Sequence, residues 1–82
     1  MDKGDYDAAI GRFEDAARYQ PKLALPWELL GEVWEKKHDK EKALDAYKKF
    51  LELLPQGGDS DRLRKRVAKL QEDLARESRR AQ

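Results

Sequence analysis

His38 stands beside Asp39, the one pair in this chain that invites general acid–base chemistry. It is the chain's single histidine. Ser60 and Ser78 have no base at a placeable distance, so no nucleophile is matched to it. The plainer reading of His38-Asp39 is an exposed turn. Gly57-Gly58 suggests a phosphate loop, but Asp59 follows at once and would repel a phosphate. Asp plus Glu number 17, yet no ligand spacing among them recommends a metal. Cys is absent, which excludes disulfides, thiolate metal sites and Cys nucleophiles. The expectation is a protein without catalytic residues, metal, cofactor or small-molecule substrate.

Charge is patterned more strongly than catalysis. Glu28, Glu32 and Glu35 stand at steps of four and three, which is one face of a helix. Arg62, Arg66 and Lys69 repeat those steps 34 residues later. Residues 58–82 carry 8 basic and 5 acidic side chains, whereas residues 1–57 carry 10 and 12. The basic end could touch an anionic surface or RNA, but no aromatic residue interleaves with it as a stacking platform. Nucleic acid is therefore argued against as a partner.

Four helices must position these groups. The first runs from about Asp5 to Tyr19, with Tyr6, Ala9, Ile10, Phe13, Ala16 and Ala17 at helical spacing. Pro21 ends it. The second runs from about Pro26 to Lys37, with Trp27, Leu30, Gly31 and Trp34 along one stripe. Pro26 suits a first turn, where its missing N–H is no loss. Asp39 is expected to cap a third helix from Lys40 to Leu54, its inward residues Ala43, Leu44, Tyr47, Phe50, Leu51 and Leu54. Pro55-Gln56-Gly57-Gly58 reads as the most flexible link. Asp59 or Ser60 then caps a fourth helix reaching about Arg79. Its apolar stripe is Leu63, Val67, Leu70 and Leu74, the last expected to overhang the third helix.

With 82 residues the chain is one small domain, near the size where a single core only just offsets conformational entropy. Charged residues make up 43% and the net charge is only +1, so bulk charge is not a means of holding nucleic acid. Apolar runs such as Leu23-Ala24-Leu25 are far too short to span a bilayer, and Met1-Asp2-Lys3 does not have the form of a signal-peptide start. No compartment is named by the sequence; the cytoplasm is only the default expectation.

The helices repeat with a period of 34 residues. Asp5, Ala9 and Pro21 recur as Asp39, Ala43 and Pro55, while Ile10 falls on Leu44 and Phe13 on Tyr47. Gly31 within a helix costs about 1 kcal/mol against Ala, so a close helix–helix approach is expected there. Trp27-x2-Leu30-Gly31-x2-Trp34, followed by Ala43, Tyr47 and Pro55, resembles the tetratricopeptide (TPR) repeat. Trp34 stands in place of the usual Tyr, and Phe50 in place of a small Ala. The resemblance implies an all-α, antiparallel helix-turn-helix array, a fragment of an α-solenoid. Residues 4–21 would be a half repeat and 24–57 a full one, together residues 1–57. Residues 58–82 would be a C-terminal capping helix and tail.

The resemblance also implies a function: a scaffold or adaptor that binds a peptide or protein partner in a concave groove. Leu25, Glu28, Glu32 and Glu35 would line one wall, and Arg62, Arg66 and Lys69 the other. The two charged stripes would be neighbours there, and the plain alternative is that they pair with each other. The family's carboxylate clamp uses Lys and Asn where this chain has Glu28 and Glu32, which argues against that subclass. Two readings compete: a nucleic-acid-associated helical protein using the basic fourth helix, which is the weaker, and self-assembly. A first helix without a preceding partner would leave part of Tyr6, Ile10 and Phe13 open, to be covered by upstream repeats or a homodimer, or tolerated as a small patch.

Overall fold

Asp39 shows how local chemistry divides the chain. Its carboxylate accepts from the Lys42 backbone N–H at 3.1 Å, starting one helix directly after another has ended. The ending is made by His38, whose φ of 65° is left-handed. Its N–H donates to the Glu35 carbonyl, and that of Asp39 to the Trp34 carbonyl, both at 2.9 Å. This is the 6→1 closure that ends many helices, usually with Gly in the left-handed position.

A computed structural model describes residues 3–80, so the reading of the Met1-Asp2 start lies outside it. The fold is all-α: α1 is Lys3–Tyr19, α2 Leu25–Lys36, α3 Lys40–Leu53 and α4 Gly58–Arg80. Among the described residues no helix is long and apolar enough to cross a membrane. Pro26 lies in the first turn of α2, as its missing N–H requires.

Backbone packing joins only successive helices: α1 with α2, α2 with α3, α3 with α4. Each pair is antiparallel. Lys37, just past the end of α2, pairs with Asp7 near the start of α1. Trp34 lies under the Lys42 ammonium, and the earlier Gly31 meets the later Tyr47. Lys40 at the start of α3 meets Glu77 near the end of α4 at 2.6 Å.

Two apolar clusters hold the helices. Ile10, Leu30, Val33 and Ala46 join α1, α2 and α3, with Tyr6, Ala9 and Phe13 packed against them. Ala43, Leu44, Tyr47, Phe50, Leu63 and Leu70 join α3 and α4. Trp27 and Trp34 touch both clusters, so α2 ties them into one core. A Cβ on Gly31 would lie 2.5 Å from Tyr47 Cδ1 and 2.7 Å from Cζ, and nearer still to Cε1. The expected close approach is therefore that of the Tyr47 ring to the α2 backbone. Phe50 is buried in the α3–α4 cluster beside Leu63 and Leu70.

Four expectations change. Leu54 is exposed rather than inward, because φ turns to −138° there and the side chain leaves the helical stripe. Neither Asp59 nor Ser60 caps α4, which already begins at Gly58; the Asp61 N–H returns to the Gly57 carbonyl. Ser60 is instead fully buried and donates its hydroxyl to the Leu54 carbonyl at 2.5 Å. The link before α4 is consequently tied down, by Ser60 and by Arg64, which donates to the Pro55 carbonyl. Leu74 does not overhang: it packs against the α3–α4 cluster, because α4 runs along the whole of α3 as far as the Lys40–Glu77 pair.

Candidate functional site

Because α2 and α4 both pack on α3 without backbone contact between them, they leave a cleft. Its volume is about 410 Å³, and Tyr47 of α3 and Leu63 of α4 contribute apolar surface to it. Glu32, Glu35, Arg62, Lys65, Arg66 and Lys69 supply its charged lining. Residues of the two charged stripes thus line one cleft.

They also neutralise each other in large part. Arg62 donates to Glu28 at 2.5 Å, and Arg66 pairs with Glu35. The carboxylates are the more buried partners, at 12% and 19% side-chain exposure, whereas the two arginines are half exposed. Both guanidinium pKa values are raised, first by the hydrogen bonds to these carboxylates. Solvent screening of half-exposed arginines holds each pair to about 0.2–1 kcal/mol.

Arg62 and Glu28 keep the 34-residue offset, but Arg66 departs from it for a reason the stripes alone do not contain. Tyr47 Oη donates to Glu35 Oε2 at 2.5 Å, which aims the other carboxylate oxygen at Arg66. Glu35, not Glu32, is therefore the partner of Arg66. Lys69 turns to Asp73 on its own helix at 3.3 Å. Burial, and then the bond to Glu35, pushes the Tyr47 phenol well above its ordinary range. Glu32 and Lys65 are left without a hydrogen bond or ion pair among the described residues, on opposite walls of the cleft.

Leu25 lies at the start of α2, is 52% exposed, and does not line this cleft. Lys65, Tyr47 and Leu63 do line it, and the charge pattern did not single them out.

The three residues proposed for self-association differ in burial. Ile10 is 7% exposed, packed with Leu30, Val33 and Ala46, so it is occupied inside the chain. Tyr6 and Phe13 are half-buried against the same cluster. Ile10 is therefore closed within the chain, while Tyr6 and Phe13 keep part of their surface exposed.

His38 is exposed at its turn, and the carboxylate of its neighbour Asp39 is engaged as a helix cap. Among the described residues no group of three or more His, Cys, Asp or Glu could hold a metal ion. The basic residues of α4 are extensively paired: besides Arg62 and Arg66, Arg64 meets Asp61, and Arg76 meets Glu72 and Asp73.

Compared with protein-family models and with curated proteins, the chain matches none.

Proposed function

We propose that this protein is a non-enzymatic interaction module of tetratricopeptide type that binds a peptide segment of a partner in the α2–α4 cleft. One observation carries the reading. Glu32 and Lys65 stand unengaged on opposite walls of a cleft beside Tyr47 and Leu63, while their neighbours are satisfied by each other. Unpaired charges flanking apolar surface fit a peptide carrying one cation, one anion and a short apolar side chain. The 34-residue period and the packing of Tyr47 on Gly31 support the repeat assignment. The extensive pairing of the α4 cations speaks for a protein partner over a nucleic acid.

Selection of a displayed peptide library on the chain tests this, with counter-selection on a Glu32→Lys/Lys65→Glu variant. Peptides of mixed charge should emerge, and calorimetry should show their affinity falling about tenfold or more on the variant. Peptides that bind both proteins equally would refute the assignment of the cleft.

A further inference from the structure

A second groove lies between α1 and α3. Both helices pack on α2 and not on each other, which leaves a cleft of about 630 Å³. From α2 it takes Trp27, Leu30 and Trp34; Ala17 of α1 and Ala46 of α3 are small residues on its walls. Trp27 and Trp34 are seven residues apart on one helix, about 10.5 Å along its axis. That is the separation at which a second helix presents its residues i and i+7. Small wall residues allow such a helix to approach closely. No sheet edge exists among the described residues, so strand addition is not open to a partner here.

The charges around this groove select the occupant. Its cations are already engaged: Arg18 with Asp15 at 3.3 Å, Lys49 with Glu52 at 3.5 Å, and Lys42 over the Trp34 ring at 4.5 Å. Its carboxylates are not. Glu14 on α1 and Asp45 on α3 have no hydrogen bond or ion pair among the described residues, and both are exposed.

We propose that the α1–α3 groove docks an amphipathic helix of a partner protein, apolar along its buried face and basic on both flanks. The apolar face covers Trp27, Leu30 and Trp34, and the flanking cations reach Glu14 on one wall and Asp45 on the other. This surface is separate from the α2–α4 cleft, so the two proposals stand or fall independently.

The test uses the chain's own chromophores, because its two tryptophans both line this groove. A Trp-free peptide locked as a helix by lactam bridges, with Leu at i, i+3, i+4 and i+7 and Lys on the flanks, is titrated into the intact chain. Tryptophan emission and calorimetry are read together. Saturable binding with an emission shift is expected, weakened about tenfold in a Glu14→Lys/Asp45→Lys variant. Both substitutions are at exposed positions, and circular dichroism checks that the variant keeps its fold. The same peptide with Glu flanks should bind the native chain less tightly and the variant more tightly. The proposal is overturned by no binding up to about 1 mM, by binding without an emission shift, or by equal affinity for the native chain and the variant.

Discussion

Replacing Gly31 by Ala sets two opposed effects against each other. Ala favours a helix interior over Gly by about 1 kcal/mol, so on an open surface the change would stabilise. Here the new methyl carbon would lie 2.5 Å from Tyr47 Cδ1 and closer to Cε1. The ring cannot simply swing away. It is 2% exposed, packed among Ala43, Leu44, Phe50 and Leu63, and its hydroxyl is held by Glu35, which Arg66 holds in turn. Moving it by about an ångström brings overpacking, about 1–3 kcal/mol. It also strains a hydrogen bond to a charged acceptor, worth about 1.5–3 kcal/mol. The net cost expected is about 2–4 kcal/mol. Unfolding entropy for 82 residues is about 0.17 kcal/mol per kelvin, so Tm should fall by roughly 12–24 °C. The discriminating measurement is a double-mutant cycle by thermal or urea unfolding. In a Tyr47→Leu background the obstructing ring is gone, and Gly31→Ala should cost almost nothing or stabilise by up to about 1 kcal/mol. An equal cost in both backgrounds, or a raised Tm for the single variant, would refute the argument that Gly31 is there to admit the Tyr47 ring.

Tyr47 also sets an alkaline limit. Its folded pKa is raised by burial and by Glu35, so the neutral phenol favours the folded state. That stabilisation is complete below the unfolded value near 10 and declines above it, by up to about 1.4 kcal/mol per pH unit. Urea unfolding between pH 9 and 12 should show this loss and its reduction in Tyr47→Phe; identical pH profiles would count against it. His38→Gly relieves a left-handed residue and should stabilise by roughly 0.5–1 kcal/mol after the entropy of Gly is subtracted; a lower Tm would contradict this. Ser60→Ala leaves the Leu54 carbonyl without its hydroxyl donor and should cost about 1–2 kcal/mol, with faster hydrogen exchange at the start of α4. Ile10→Asp should unfold the domain, by circular dichroism at all concentrations, and not merely separate two copies, because Ile10 is packed within the chain.

The sequence by itself determined the helices and most of their inward faces. Apolar spacing of 3.6 residues and the stops at Pro21, Asp39 and Pro55 are local signals, and the four helices follow them to within one or two residues at most ends. Gly31 announced a close approach for the same reason: its helix penalty is intrinsic and had to be offset by something nearby. The charged stripes were legible as faces, because spacing alone assigns residues to a face.

What met across those faces was decided only by the tertiary structure. The 34-residue offset relates Glu32 to Arg66, but the Tyr47 hydroxyl holds Glu35 where Arg66 reaches it, and Tyr47 belongs to a third helix. Ile10 is buried because α2 brings Leu30 and Val33 into its cluster, and those residues lie at least 20 positions away in sequence. The α1–α3 groove was invisible for the same reason. Its walls and floor come from three helices, and no periodicity within one helix states the gap between two others. Local pattern fixes which side of a helix is apolar; the width of a cleft and the partner of a charge depend on how three helices sit together in space.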